Sequence, residues 1–314
     1  MLDRKAETSR VTKTTEEKTR YWGKTWDDAE SFIDFAQEFL HQNEAQNGLI
    51  IGVAQRYAQK KPNDDVKRRF FLIFKGEQPI LAAFRTPPFG LSVTPLYYPQ
   101  AIELEEEVII LEEVTSVLSD LVAKAYENIP SLNGAKVVVE SFVKQWFLKT
   151  KSQGQFSLPM RLHRLNEVAN LSLPQGVFKQ ATQKDAQLIH QWLVEFQVET
   201  LGEHPPSLEE ITTGLSTADP RFYLWYVDEQ PVSMAAWSRP TKTGVSVNAV
   251  YTPKNLRGHG YATAVVHQLS TLLLNRGFLF CILYTDMTNP ISNSIYAKIG
   301  YKGILDTCLY KFDA

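Results

Sequence analysis

Two cysteines, Cys281 and Cys308, are all that the 314 residues contain. A pair of thiols builds neither a disulfide framework nor, unaided, a zinc site. Long apolar runs are missing as well. The longest goes from Phe278 to Tyr284, and a membrane-spanning helix takes roughly 20 apolar residues. Neither sign of charge dominates: 33 Lys and Arg stand against 35 Asp and Glu, a net of -2. That balance excludes the broad basic face of a general nucleic-acid binder, while leaving room for one local basic pocket. His41, His163, His190 and His267 are scattered without metal-ligand spacing, so no metal site is expected. Residues 1 to 20 lack an apolar stretch and carry Asp3, Glu7, Glu16 and Glu17. They resemble neither a secretory signal nor a transit peptide and read as a solvated, mobile tail. These absences fit a soluble, cytoplasmic chain with free, buried thiols, no nucleic-acid partner and no membrane partner.

What is present is core material. Apolar residues make up 44% and charged residues 22%, with six Trp, 13 Tyr and 17 Phe. This composition is globular, and the length suits two ordinary domains. From Trp26 to about Tyr57 the pattern is helical, with Phe32, Phe35, Ala36 and Phe39 at helical spacing. A second helix is expected after an Asn47-Gly48 break. Arg69 to Phe74 and Pro79 to Arg85 read as strands about a Gly76-Glu77 turn. The same arrangement returns downstream: FFLIFKGEQPILAAF from Phe70 and FYLWYVDEQPVSMAA from Phe222 align without a gap at an offset of 152. So long a period suits two copies of one domain rather than a solenoid. The junction is expected in residues 150 to 176, where Lys151-Ser152-Gln153-Gly154 and Leu173-Pro174-Gln175-Gly176 are breaker clusters and Arg161 to Leu165 reads as a crossing strand. Lys60-Lys61 and Arg68-Arg69 are separated by Asp64 and Asp65, the pattern of a solvated loop.

The second halves of the copies differ. In the later one, Gly244 to Tyr251 reads as a strand ended by Thr252-Pro253. Arg257-Gly258-His259-Gly260 follows, then a helix from Tyr261 to Arg276 stopped by Gly277. Val265, Val266, Leu269, Leu272 and Leu273 form its apolar stripe. Such a junction favours an anion: the first N–H groups of a helix have no internal partner, the dipole's positive end points outward, and glycines let a phosphate come close. On spacing alone the segment fits an anion site and a plain tight turn alike. It is neither a Walker A loop nor Gly-x-Gly-x-x-Gly. The earlier copy has Ile102-Glu103-Leu104-Glu105-Glu106-Glu107 instead, then a helix near Val114 to Tyr126.

Arg257-x-x-Gly260-x-Ala262, after a Val-x-x-Val-Tyr-x-Pro strand end, is similar to the Arg/Gln-x-x-Gly-x-Gly/Ala signature of the GNAT N-acetyltransferase superfamily. Downstream of a strand from Phe278 to Asp286, the run Asn289 to Tyr301 resembles the family's Asn-x-x-Ser/Ala-x-x-x-Tyr-x-x-x-Gly-Phe/Tyr segment. The resemblance covers about Val177 to Phe312. It implies an α/β fold with a mixed sheet, repeated in tandem. The expected parts are a tail (1–20), a degenerate copy (21–165) and an acetyltransferase domain (166–314). Two-copy members of the superfamily have about this length.

The resemblance also implies a chemistry. Acetyl-CoA would be the donor, with its pantetheine arm along Ala249, Val250 and Tyr251. Its pyrophosphate would lie on the N–H groups of Arg257, Gly258, His259, Gly260, Tyr261 and Ala262. Asn289 would reach the arm, and it also makes a good helix cap before Pro290. Ser292, Asn293 and Tyr296 share one helix face, and Ile295 and Ile299 read as core. Tyr296 would protonate the departing thiolate; its other reading is a ring packed against Gly300. A primary amine, on a small molecule, an amino acid or a peptide N-terminus, would attack the thioester directly, with the Val250 N–H as oxyanion donor. The position where some members carry a basic Glu is Tyr284 here. Asp286, Glu195, Glu199, Glu203 and His204 remain candidates for the base, beside a water relay. A rival reading is a non-catalytic acyl-CoA-binding or regulatory module, and a longer acyl donor is a third.

Overall fold

The computed structural model describes residues 21–59, 66–98, 103–200 and 205–313. The expected 1–20 tail, the Lys60-Lys61 and Asp64-Asp65 loop, and the base candidates Glu203 and His204 lie outside them. In chain order the elements are β1 (Tyr21–Trp26), α1 (Ala29–Gln42), α2 (Glu44–Ala58), β2 (Arg69–Lys75), β3 (Gln78–Arg85), β4 (Leu91–Val93), α3 (Leu104–Ala125), β5 (Ser131–Ala135), α4 (Lys136–Thr150) and β6 (Gly154–Leu165). Then come β7 (Val177–Gln180), α5 (Ala186–Thr200), α6 (Leu208–Leu215), β8 (Phe222–Val227), β9 (Gln230–Ser238), β10 (Gly244–Tyr251), α7 (Tyr261–Asn275), β11 (Phe280–Asp286), α8 (Pro290–Ile299) and β12 (Lys302–Phe312).

The chain forms two compact units. One gathers residues 1–43, 53–159 and 306–314; the other gathers 44–52 and 160–305. The first has strand order β1-β2-β3-β4-β5-β12, and the second has β7-β8-β9-β10-β11-β6. The two orders are the same design. In each, the fourth and fifth strands pair in parallel and the others are antiparallel. The units therefore do not coincide with the sequential segments 21–165 and 166–314. The sixth strand of the first unit is the end of the chain, from Asp306, and the sixth of the second is the end of β6, from Met160.

The aligned hairpins agree in a detail that sequence could not show. The register of β2 with β3 slips between Ile73 and Phe74, and that of β8 with β9 slips between Trp225 and Tyr226. These are the same two positions, 152 residues apart, and in each case the slipped residue faces a proline, Pro79 or Pro231. Proline has no N–H for the ladder, so a bulge there is the local remedy.

In the first unit, Phe32 on α1 stacks on Phe70 of β2 at 4.7 Å. A Thr115–Ser141 hydroxyl pair at 2.8 Å ties α3 to α4. In the second, Val265, Val266, Leu269 and Leu273 of α7, with Ile299 of α8, pack on Val245, Val247, Cys281 and Leu283. On the opposite face Ile189, Trp192 and Leu193 of α5, with Ile211 and Leu215 of α6, cover Leu224, Met234 and Tyr251. Ala45, at the start of α2, joins Leu162, Phe280 and Ile282 on that side.

Three expectations need correction. The helical run from Trp26 begins as a strand, since β1 pairs with β2 from Tyr21↔Lys75 to Trp26↔Phe70. Asn47-Gly48 is not a break but lies inside α2, which starts at Glu44 after the irregular backbone of Asn43. Gly48 is there for closeness: a Cβ on it would stand 2.9 Å from the Ile282 Cδ1. The helix expected near Val114 begins at Leu104.

Candidate functional site

The site is built where β10 leaves its neighbours. On one side β10 pairs with β11 only through Gly244↔Phe280, Val245↔Cys281 and Ser246↔Ile282, and beyond Ser246 the two strands part. On the other side its register with β9 slips between Asn248 and Tyr251. Ala249 sits in that bulge with φ 48, a left-handed conformation that costs an L-residue about 1–2 kcal/mol. The slip turns Ala249 and Tyr251 toward α5 and leaves Val250 packed on the α7 side. The end of the strand is pinned by Ser233, fully buried, whose hydroxyl donates to the Tyr251 carbonyl at 3.1 Å and lies 2.8 Å from the Thr252 hydroxyl.

The glycine segment comes next. Gly258 and Gly260 have φ 87 and 79, conformations that glycine adopts without a Cβ penalty. Gly260 is the N-cap of α7 and offers no side-chain acceptor. The N–H groups of Tyr261, Ala262 and Thr263 therefore have no cap, as the first turn of a helix requires of some outside group. His259 stacks on Tyr261 at 5.3 Å. Arg257 does not point freely at this turn. Its Nε donates to the Thr252 carbonyl at 2.9 Å, and Nη2 donates to both Glu199 carboxylate oxygens at 2.9 and 2.7 Å. Lys254 is 3.9 Å from the same carboxylate. Arg257 thus fastens the loop to α5.

The carboxylates separate by what already holds them. Glu199 is engaged by Arg257. Asp286 accepts from the Thr288 N–H and hydroxyl, each at 2.7 Å. Glu195 accepts the Tyr251 hydroxyl at 2.8 Å and the Gln191 amide at 2.9 Å. Burial, then the Glu195 contact, pushes the Tyr251 phenol up to about 12.

Asn289 caps α8, its Oδ1 accepting the Ser292 N–H at 3.1 Å, with Pro290 at the first helical position. Ser292 is half-buried, and Asn293 donates from Nδ2 to the Asp286 carbonyl at 3.0 Å. One helical turn on, Tyr296 is 9% exposed, edge-on to Tyr301 at 6.0 Å. Its hydroxyl makes no hydrogen bond to a described residue, and burial raises its pKa to about 12. Tyr284, on β11, lies on the face away from α7 and is half-buried; loss of solvent raises its pKa, and Arg239 draws it partly back. Arg239, directly after β9, carries no role in the sequence analysis. The signal it carried was a cation directly before a proline at a strand end.

No group of three or more potential metal ligands occurs among the described residues. No helix among them is long and apolar enough to cross a membrane.

A mixed sheet thus parts beside an uncapped, glycine-led helix. Residues 186–301, within the second unit, match the model of the acetyltransferase (GNAT) family. Among solved structures, a Drosophila protein is similar over 93% of this chain and 98% of its own, with 12% identity and a TM-score of 0.59. A GCN5-related N-acetyltransferase from Sphaerobacter thermophilus is similar over 93% of this chain and 95% of its own, with 14% identity and a TM-score of 0.55. A tandem GNAT protein from the clavulanic acid biosynthesis pathway aligns over 93% of this chain and 98% of its own, at 9% identity and a TM-score of 0.49. At the identities of the first two, the likeness is one of fold. A search of curated proteins returns no match.

Proposed function

We propose that the chain is an acetyl-CoA-dependent N-acetyltransferase whose second unit moves an acetyl group to a primary amine, with 21–165 a degenerate copy of 166–314. The observation that carries this is the parting of β10 from β11 at Ser246, next to a helix whose first N–H groups lack a cap. The parted edge of β10 offers unpaired backbone groups to an extended amide-bearing arm. The α7 N-terminus offers N–H donors to a pyrophosphate. Gly258 has nothing within 4 Å of where a Cβ would stand, and at Gly260 the approach is only the Pro174 ring at 3.8 Å, so the loop has room for such a ligand. These residues fit acetyl-CoA, and bound there it supplies a thioester carbonyl.

The chain's own groups then divide the work. Ala249, Val250 and Tyr251 align the arm, and Gly258 to Ala262 hold the phosphates. The bulge at Ala249 turns the Val250 N–H out of the β9 ladder, where it can donate to the carbonyl oxygen as negative charge develops. Tyr296 keeps its proton at neutral pH and presents it to the departing sulfur. Glu195, joined to Tyr251, is the carboxylate we assign to take a proton from the amine through water.

The test is calorimetric titration with acetyl-CoA, with CoA and acetate as controls, followed by thiol release on a panel of amines. One site per chain with amine-dependent release is the expected result. Binding without release on any amine would favour the non-catalytic module, and no binding would overturn the assignment.

A further inference from the structure

We propose that the Asn248 amide oxygen takes an N–H of the acceptor's amine and so aims the nitrogen lone pair at the thioester. The inference rests on the N-acetyltransferase reading above.

Register fixes where Asn248 stands. Pairing of β10 with β11 stops at Ser246↔Ile282, so Asn248 lies on the freed length of β10, two residues past the last pair. Its other edge is still held, because Asn248↔Ala236 is the last pair with β9 before the bulge. Side chains alternate along a strand. Val245 and Val247 pack on the α7 side, so Ser246 and Asn248 face the other way, as Ala249 and Tyr251 do beyond the slip. On β11 the same alternation turns Leu283 toward α7 and sets Ile282 and Tyr284 with Leu162 and Ala45. Continued past Ile282, the register would bring Tyr284 opposite Asn248. Neither strand therefore carries a charged side chain at this level of the parting.

The amide is held at one end and unused at the other. Nδ2 donates to the Ser238 hydroxyl at 2.6 Å, which fixes the group. Oδ1 has no hydrogen-bond partner among the described residues, and Asn248 is half-buried. An amide oxygen so placed has room for a donor. The reaction lies close by. The Val250 N–H, assigned to the carbonyl oxygen, is two residues on, and two residues of chain span at most about 7 Å. The donor's arm enters from the α7 N-terminus, which leaves the acceptor the opposite face, where Glu195 stands through Tyr251.

A neutral oxygen suits the chemistry. Glu195 takes the ammonium proton through water, leaving the amine a lone pair and two N–H groups. The lone pair forms the C–N bond as the C–S pair leaves on sulfur, which Tyr296 protonates. One N–H proton then passes to water and restores the phenol. Nitrogen gains positive charge in that step, so its N–H bond to Oδ1 becomes charge-assisted and strengthens when it is needed. A carboxylate at the same point would hold the amine as an unreactive ammonium.

The experiment uses whichever amine of the panel gives the fastest thiol release from acetyl-CoA. Asn248→Ala should lower kcat/KM for that amine about tenfold or more, the scale of one charge-assisted bond. Acetyl-CoA affinity by calorimetry should stay at the parent's. Asn248→Asp keeps an acceptor oxygen but adds charge, so its pH–rate profile should move to higher pH. Ser238→Ala leaves Oδ1 in place and should lose less than Asn248→Ala. A kcat/KM within threefold of the parent in Asn248→Ala, or an Asn248→Asp profile that does not move, overturns the proposal. So does an equal loss in Ser238→Ala, which would leave Asn248 only bracing the end of β9. If Asn248→Ala does not fold, the Asn248→Asp profile decides alone. If the unaltered chain releases thiol with no amine, the transferase reading fails and this assignment falls with it; release in the parent with unaffected variants defeats this assignment alone.

Discussion

Replacing Tyr296 by Phe tests the chemistry with little structural disturbance. The ring is buried against Tyr301 and the α7–β11 core, and the hydroxyl has no described partner. Deleting it leaves packing intact and orphans nothing, so stability should change by less than about 1 kcal/mol. The catalytic effect is larger. Burial holds the phenol at about 12, while a free thiol titrates near 8.5, so complete proton transfer is uphill by roughly 3.5 pK units, or about 5 kcal/mol at 1.36 kcal/mol per unit. Full transfer to a solvated thiolate is therefore too costly. Tyr296 must act while charge is still developing on a sulfur that is itself desolvated, where its hydrogen bond steadies the leaving group. A positioned acid of this kind contributes about 10²- to 10⁴-fold. Thiol release by Tyr296→Phe should fall in kcat by about that factor, with acetyl-CoA affinity unchanged by calorimetry. Because the phenol stays protonated far above neutrality, the unaltered protein should show no loss of acid function between pH 7 and 10. A kcat within threefold of the parent would refute the assignment.

Ala249→Gly should keep activity and stability near the parent's, since relief of the left-handed strain offsets the added freedom of the unfolded chain. Ala249→Val should lose about 2 kcal/mol in urea melts and most activity. Arg257→Glu sets a second carboxylate against Glu199 at the phosphate loop and should weaken acetyl-CoA binding at least tenfold by calorimetry; unchanged affinity would mean the loop holds no phosphate. Gly48→Ala meets only the mobile tip of Ile282, whereas Gly52→Ala meets the Arg239 Cβ and its Cα at 3.1 Å. The first should be mild and the second should cost about 1–3 kcal/mol by thermal melting. Tyr126, Tyr226, Tyr251 and Tyr296 are each raised to about 12, burial first. The folded state therefore binds more protons than the unfolded one above pH 10, so stability is full below pH 10 and is lost as pH rises through 12. Absorbance at 295 nm should show these phenols ionising late, together with loss of circular dichroism.

Local chemistry was legible from sequence wherever one residue type had to do one job. Asn289 with Pro290 marks a helix start and appears as read; Gly258 and Gly260 were read for the room they give, and the structure adds that both have positive φ. The hairpin repeat was visible through Glu-Gln-Pro, and its shared bulge follows from the proline. Pairing over long distance was not legible. That β12 completes the first unit and β6 the second is a choice of partner, and Thr307↔Ala135 and Cys281↔Leu165 leave no trace in either segment's own periodicity. Nor was the fate of a charged side chain. Arg257 reads as a phosphate ligand by motif, yet Glu199, 58 residues earlier, occupies its fork. Gly48 was misread because a glycine required for close approach and one that breaks a helix look alike until the neighbour, here Ile282, is known.

The two units make an internal control for the phosphate site. In the first, Leu91↔Leu132 to Val93↔Gly134 repeat the three-pair parallel contact of β10 with β11, and a long helix again follows. That helix, α3, opens with Glu103 at its cap and Glu105, Glu106 and Glu107 in its first turn. Acids there satisfy the helix's positive end and stabilise it. They also fill with negative charge the place that α7 leaves open through Gly260, a cap without a side chain. The same backbone thus presents opposite fields, and a pyrophosphate is attracted by one and repelled by the other. This electrostatic difference, rather than a difference of fold, is why one acetyl-CoA per chain is expected. Substituting Gln for the three first-turn glutamates would remove the repulsion but add no glycine loop. A second binding event in that variant would show that charge alone had silenced the first unit, and its absence would assign the remainder to the missing Gly258–Gly260 geometry.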